Sequence, residues 1–230
     1  MSFGETTKAA LLCRMNFIEM NQFFRALTDY CEAHSTGVDE VLYELERETH
    51  LKTLSPQMIS GRFQGRFLQM LSKLIHPKEI LEIGTFTGYA SICLARGLAD
   101  GGRLTTIEVN PEIRWISEKY FKKAELEEKI VSILGDAREV ISTLTQELDL
   151  VFIDAAKPDN AWYYETILPK VRKGGVILID NTLWSGKVVM EAHDNDTALI
   201  KKFNTLVSED GRTENIILPL RDGLTIVRKL

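Results

Sequence analysis

The pattern of apolar and polar residues changes along the chain, and its central part alternates short apolar runs with longer amphipathic stretches. Continuous runs such as Leu150–Ile153 and Val176–Ile179 are typical of strands that are buried on both faces of a sheet. The stretches between them carry apolar residues at helical spacing. Regular alternation of this kind predicts βαβ units and a mostly parallel sheet that is covered by helices.

Seven strands are predicted, five in the alternating part and two at the C-terminal end. The stretch Glu79–Ala90 predicts the first strand, a tight turn and the start of a helix. Ile216–Leu218 and Leu224–Val227 are joined by so short a turn that they must pair antiparallel. The other predicted strands are Arg103–Val109, Lys129–Leu134, Asp149–Asp154 and Gly175–Asp180, and the predicted helices are Pro56–Ile75, Gly88–Leu98, Pro111–Ala124, Ala137–Gln146, Asn160–Val171 and Asp196–Val207.

Two further helices are predicted before the first strand, outside the repeating pattern. They span Asn16–His34 and Val38–Glu48. We expect residues 1–230 to form a single domain in which residues 1–53 are a helical cover. This segment packs either on one end of the sheet or on a second subunit, and both a core-packing role and a lid over the site remain open.

Two glycines follow the first strand and predict a turn that approaches a ligand closely. Gly84 and Gly88 lack a Cβ atom, so the backbone turns sharply there. Their G-x-x-x-G spacing differs from the dinucleotide pattern, and the carboxylate of Glu82 just before them would repel a pyrophosphate. Glu108 lies 24 positions after Gly84, near the place where an acidic residue accepts ribose hydroxyls. A ribose with a cationic tail indicates S-adenosylmethionine; the alternative is a plain sheet turn with a solvated Glu82.

The amino-acid composition narrows the possible functions of the protein and its expected cellular location. The chain has 44% hydrophobic and 27% charged residues, and its net charge of −5 argues against a general electrostatic grip on nucleic acid. Its three cysteines, Cys13, Cys31 and Cys93, form no metal-binding or disulfide pattern, which predicts a reducing, cytoplasmic location. No signal-type segment or membrane-spanning apolar run is seen in the sequence, so we expect no membrane association.

Carboxylates also follow other predicted strands, at the edge of a parallel sheet where ligands bind. Asp154 ends the fourth strand, and Asp180 with the adjacent Asn181 ends the fifth. Two carboxylates and an amide oxygen form a hard donor set that suits Mg²⁺, Mn²⁺ or Ca²⁺ better than zinc. Each residue alone is also a common cap or turn residue. Their occurrence together at neighbouring strand ends favours a cation site.

Several motifs resemble those of the cation-dependent O-methyltransferases of the caffeoyl-CoA and catechol type. They are the stretches Gly65–Leu68, Leu81–Tyr89, Phe152–Lys157, Lys173–Gly186 and Leu218–Leu224. The D-N-x-L-W-x-G segment at Asp180–Gly186 is the most specific of them. The resemblance implies a seven-stranded, Rossmann-like class I methyltransferase fold, commonly a homodimer. It also implies methyl transfer from S-adenosylmethionine to one oxygen of a small vicinal diol such as a catechol.

The resemblance also implies roles for individual residues. Asp154, Asp180 and Asn181 match the metal ligands, and Lys157 is the candidate base, so Lys157 and Asp154 form the catalytic pair. Trp184 matches an aromatic position of the acceptor pocket. Positions that match the cofactor site are Met58, Ser60, Glu82, Gly84, Glu108, Ala137 and Asp154, to which we add Asp136 because its carboxylate is suited to accept from an adenine amino group.

The chain departs from the family pattern at three places near these positions, one of which is Ala156 in place of the second Asp of the plant D-A-D-K motif. The usual G-Y-S is Gly88-Tyr89-Ala90 here, so Ser91 is the candidate replacement for the serine that holds the methionine carboxylate. The Asn that often follows the tryptophan is Ser185. These changes leave the reaction intact and leave the acceptor open.

Three alternatives differ in class. A nucleotide-dependent oxidoreductase is disfavoured by the glycine spacing. A non-catalytic S-adenosylmethionine-binding module and a methyltransferase of a hydroxylated tRNA base both remain open. The acidic net charge disfavours the tRNA acceptor relative to a small catechol-like molecule.

Overall fold

The computed structural model describes residues 17–190 and 194–230 of the chain. Contacts divide it into two compact units with the boundary between Val38 and Asp39. The smaller unit contains helix α1 (Phe17–Ala33), in which Phe23 and Tyr30 are exposed. The start predicted for this helix, Asn16, lies outside the described residues, and the single domain with a helical cover over residues 1–53 stays a prediction.

The larger unit contains the predicted seven-stranded sheet. The strands lie in the order β3-β2-β1-β4-β5-β7-β6. The first five are mutually parallel, and β7 pairs antiparallel with both β5 and β6. The α/β class and the C-terminal antiparallel hairpin are therefore confirmed. The strands are β1 (Glu79–Ile83), β2 (Arg103–Glu108), β3 (Ile130–Leu134), β4 (Leu148–Ile153), β5 (Val171–Asp180), β6 (Thr213–Leu218) and β7 (Leu224–Lys229).

Seven helices of the larger unit are described. They are α2 (Glu40–Lys52), α3 (Gly61–Ile75), α4 (Tyr89–Ala95), α5 (Arg114–Lys123), α6 (Ala137–Thr143), α7 (Asn160–Ile167) and α8 (Asn195–Ser208). Helix α2 begins at the capping residue Asp39, whose side chain accepts from the backbone N–H of Leu42. It buries Leu42 and Leu45 within this unit.

Five of the helices predicted in the larger unit are shorter than expected, and two of them end or begin at identifiable local features. The stretch Pro56–Ile75 forms a 3₁₀ turn, Pro56–Met58, and then α3, because Ile59 between them has an extended backbone with a ψ of 139°. The stretch Asn160–Val171 leaves the α-helix at Ile167, where the 3₁₀ turn Leu168–Lys170 carries Pro169 without a donor N–H. Strand β5 then begins four residues before its predicted start at Gly175.

The central strands place three residues in register, and this register sets the position of the site. Ile83, Ile153 and Ile179 lie side by side in β1, β4 and β5, and all three are buried in the hydrophobic core. The next residue of each strand, Gly84, Asp154 or Asp180, therefore lies at the same edge of the sheet. Among the described residues, no helix is long and apolar enough to cross a membrane.

Candidate active site

A cavity of about 1120 Å³ opens at the carboxyl edge of the parallel strands. Its wall includes Gly84, Glu108, Asp154 and Asp180, which follow or end β1, β2, β4 and β5. Open parallel sheets bind ligands at this edge. The structure therefore brings together, around one cavity, most of the residues that the sequence singled out.

The backbone conformation of the turn after β1 requires glycine at two positions. Gly84 has a φ of 99°, and a Cβ atom at this position would overlap the carbonyl oxygen of Asp154. Gly88 has a φ of 89°, and a Cβ atom there would meet the ring of Phe121. No other residue type fits either position without a shift of its neighbours. The turn consequently packs directly on the end of β4.

Glu108 is held in place at the cavity wall by backbone donors. One carboxylate oxygen accepts from the N–H of Phe86 at 2.8 Å, and the other accepts from the N–H groups of Val109 at 3.0 Å and Asn110 at 2.9 Å. These bonds tie the glycine turn to the end of β2. Other predicted cofactor residues that line the cavity are Met58, Asp136, Ala137 and Asp154.

Glu82 and Ser91 are placed differently from the expectation. Both are fully buried and lie outside the cavity wall, and the hydroxyls of Ser91 and Thr106 donate to the same carboxyl oxygen of Glu82. Burial raises the pKa of Glu82 to about 8, and the charges of Asp154 and Glu108 add to this. Neither side chain belongs to the cavity wall, because Glu82 lies inside β1, two residues before Gly84, and their contact with the cofactor stays a prediction.

Ser60 and Trp184 also lie outside the cavity wall. The buried Ser60 uses its backbone carbonyl to accept from the guanidinium of Arg221. Trp184 is half-buried with a φ of 48°, its indole N–H has no acceptor among the described residues, and its ring lies 5.9 Å from the ammonium of Lys187. The expected role of Trp184 in the acceptor pocket stays a prediction.

Asp154 and Asp180 form a pair of carboxylates at the cavity. Asp180 is buried, and Asp154 lies 3.4 Å from the ammonium of Lys157. The pKa of Asp154 is raised to about 6, first by burial and then by the negative charge of Asp180, against the opposite influence of Lys157. Asn181 follows and also lines the cavity. In the part of the chain that the structure describes, no cluster of three or more His, Cys, Asp or Glu residues forms, so this set is two carboxylates and an amide.

Three residues of the site were assigned no role from the sequence. Arg221 and Asp222 lie in the turn between β6 and β7 and line the same cavity, and Gln64 of α3 is buried against Asp180. The turn was noted only as part of a similar motif. Gln64 carried no signal of its own, since its partners are distant in the sequence.

The comparisons with known proteins decide the family. A family model described as O-methyltransferase matches residues 32–230. The chain belongs to the O-methyltransferase family. A caffeoyl-CoA O-methyltransferase of Populus kitakamiensis is 35% identical to it over 207 residues, which cover 84% of this chain and 88% of that protein. One of Stellaria longipes is 30% identical over 203 residues, with 83% and 84% covered.

Solved structures of similar fold agree with this assignment. An SAH-bound methyltransferase of Podospora anserina has a TM-score of 0.84 and 29% identity, with 94% of this chain and 98% of that chain covered. An O-methyltransferase of Bacillus cereus in complex with SAH has a TM-score of 0.82 and 29% identity, with 89% and 97% covered. The predicted enzyme class, an S-adenosylmethionine-dependent O-methyltransferase of the caffeoyl-CoA type, is confirmed.

Proposed function

We propose that the methyltransferase moves the methyl group of S-adenosylmethionine to one oxygen of a small molecule with two adjacent hydroxyl groups. A divalent cation held by Asp154, Asp180 and Asn181 assists the transfer in this proposal. The observation that carries it is the position of two carboxylates and an amide beside the glycine turn, in the wall of one cavity. Mg²⁺ is the cation we expect, with Mn²⁺ or Ca²⁺ as substitutes.

The residues present fit such a cation. Burial, and after it the negative charge of Asp180, raises the pKa of Asp154. A doubly positive ion would offset that negative charge, and oxygen donors without sulfur or imidazole suit hard cations. When bound, the ion would favour the ionised form of an acceptor hydroxyl whose ordinary pKa is about 10.

The cofactor residues are proposed from the same wall. Each oxygen of a carboxylate has two lone pairs, so Glu108 retains acceptor capacity for ribose hydroxyls beyond its backbone donors. Asp136 caps α6 by accepting from the N–H of Arg138 at 2.8 Å, and it is assigned to the adenine amino group together with the neighbouring Ala137. Gly84 and Met58 supply the remaining contacts. Glu82 and Ser91 support the turn from behind in this proposal.

Lys157 is proposed as the residue that takes the proton. Its ammonium group lies beside Asp154 in the wall, with 14% of the side chain exposed. In the transfer, the carbon–sulfur bond of the donor breaks and a carbon–oxygen bond forms. The hydroxyl proton passes to Lys157 after that side chain has given a proton to water, or it passes to water directly. The two adjacent oxygens of the acceptor hold it in one orientation for attack.

A methyl-transfer screen tests the proposal. The panel contains catechols, matched monohydroxy phenols, a dihydroxycinnamoyl thioester and hydroxyuridine-containing tRNA, each with added Mg²⁺ and with a chelator. We expect transfer to the vicinal diols, loss with the chelator and recovery with Mg²⁺ or Mn²⁺. Equal rates on diols and monohydroxy phenols, or full activity of protein shown by elemental analysis to be metal-free, would overturn it. Sedimentation measurements on the same sample test the expected homodimer.

A further inference from the structure

We propose that the turn between β6 and β7 positions the proposed cation ligands at the end of β5. Arg221 acts on Asp180 through Gln64, and Asp222 acts directly on Asn181. Each link fixes which end of a side-chain amide faces its neighbour. The inference rests on the cation site proposed above and assigns roles to residues that do not themselves bind the ion.

The first link joins Arg221, Gln64 and Asp180. The guanidinium Nη1 of Arg221 donates to Oε1 of Gln64 at 3.2 Å, and Nε2 of Gln64 donates to Oδ2 of Asp180 at 2.7 Å. A guanidinium has only donors, so it selects the orientation in which the amide oxygen faces it. The amide nitrogen then faces the carboxylate. Because Gln64 and Asp180 are both buried, no water replaces these contacts.

The second link joins Asp222 and Asn181. Oδ2 of Asp222 accepts from Nδ2 of Asn181 at 3.5 Å, and its Oδ1 accepts from the hydroxyl of Ser185 at 3.2 Å. An ionised carboxylate only accepts, so the nitrogen of Asn181 must face Asp222. The amide oxygen of Asn181 is then not in contact with Asp222, and this oxygen is the atom that binds a cation. The reverse orientation would place two oxygens together.

The backbone around Asn181 needs this support. Asn181 has a φ of 62°, a conformation that costs energy and persists only where the surroundings hold it. The carbonyl of Asp222 accepts from the N–H groups of Leu183 at 2.7 Å and Trp184 at 3.1 Å, and the carbonyl of Gly223 accepts from Thr182 at 3.1 Å. The turn between β6 and β7 therefore holds both the main chain that follows Asn181 and the side chain of Asn181, the proposed cation ligand.

The experiment separates positioning from plain structural support. Four variants are compared with the wild type: Gln64→Met, Asp222→Ala, Asp222→Asn and the control Glu214→Gln. Glu214 lies on the same hairpin, but its carboxylate is exposed and pairs with Arg228 away from the site. For each protein, Mn²⁺ affinity is measured by electron paramagnetic resonance, S-adenosylhomocysteine affinity by calorimetry, and Tm by thermal unfolding.

Partners behind metal ligands change affinity by about 10- to 100-fold when they are removed. We expect Gln64→Met and Asp222→Ala to weaken Mn²⁺ binding by this factor and to change S-adenosylhomocysteine affinity by less than about threefold. Asp222→Asn keeps an acceptor oxygen, so it should recover part of the loss, and Glu214→Gln should match the wild type. If Asp222→Ala does not fold, Gln64→Met and Asp222→Asn decide the question.

Two other outcomes have separate meanings. Folded variants with wild-type Mn²⁺ affinity and a lower Tm would overturn the positioning role and leave the cation site standing. A wild-type protein that binds S-adenosylhomocysteine but no Mn²⁺ would overturn the cation site, and this inference with it.

Discussion

Glu82 and the pair Asp154–Asp180 are carboxyls near the same edge of one sheet, yet they have different surroundings. Glu82 is enclosed behind the cavity wall by the hydroxyls of Ser91 and Thr106. The aspartates face the cavity beside Lys157. Glu82 and Asp154 both have a raised pKa, about 8 and about 6 respectively, and burial is the largest cause in both. Only the paired aspartates offer several oxygens to a ligand.

The strand register explains the difference. Glu82 pairs with Phe152, which in turn pairs with Leu178, whereas Asp154 and Asp180 come two positions later on their strands. Two residues of a strand span roughly 7 Å. That distance separates the enclosed Glu82 from the two aspartates that contact the cavity. Whether a carboxyl reaches the cavity is therefore decided by its register with the neighbouring strands more than by its nearness to the end of its own strand.

The largest expected effect is the loss of methyl transfer when one negative charge is removed from the aspartate pair. Asp180→Asn keeps the shape but removes half of the negative charge of the oxygen pair, so methyl transfer should fall by more than about a hundredfold. Glu82→Gln should leave Mn²⁺ affinity within about threefold of the wild type. Activity assays and Mn²⁺ titrations of both variants check this, and a larger loss of Mn²⁺ binding in Glu82→Gln would reverse the comparison.

A second prediction concerns the pH dependence of the free energy of unfolding. Glu82 is protonated in the folded protein up to about pH 8, whereas it ionises near pH 4.5 in the unfolded chain. Its contribution to the free energy of unfolding is therefore complete below pH 4.5 and is lost as the pH rises to 8. Between pH 7 and 8, Asp154 is mostly ionised in both states. There the wild type should lose about 1 kcal/mol per pH unit relative to Glu82→Gln.

Urea unfolding with a chelator present, at several pH values in this range, measures the slope. Every other titratable group is present in both proteins, so the difference between them isolates Glu82. Parallel curves would mean that the carboxyl of Glu82 is ionised in the folded protein at neutral pH.

The smallest expected effect comes from a single hydroxyl. Ser91→Ala removes one donor to Glu82 and should cost about 1 kcal/mol near pH 7, where that carboxyl is neutral. Above pH 8 the cost should rise to about 2 kcal/mol, because the bond then stabilises a charge. Ser142→Ala is the matched control, since that exposed hydroxyl bonds only within its own helix. A cost that stays constant with pH would contradict the assignment of the proton to Glu82.

Much of the fold follows from local patterns in the sequence. Buried parallel strands are continuous apolar runs, and the antiparallel hairpin follows from its short turn, so these were predicted correctly. The placement of Gly84, Asp154 and Asp180 at one edge follows from the same pattern, since each comes at the end of a central strand. These features depend on neighbours along the chain.

The features that local sequence patterns do not predict depend on contacts between distant segments. Glu82 and Ser91 have the right chemistry for a ligand site, but which way they face is decided by strand register and by the packing of α4. The conformation of Trp184 depends on bonds to the carbonyl of Asp222, 38 positions away. Gln64 is an ordinary helix residue until the fold sets it against Asp180.

The position of β7 between β5 and β6 has a consequence for folding kinetics. The bond from Arg221 to Gln64 closes a separation of 157 residues, and contacts of such range form late because the chain entropy must be lost first. A folding intermediate built on β1–β5 would contain the glycine turn and both aspartates without the turn that orients them. Competence to bind a cation should therefore appear after most of the secondary structure, in the same kinetic phase as insertion of the last strand.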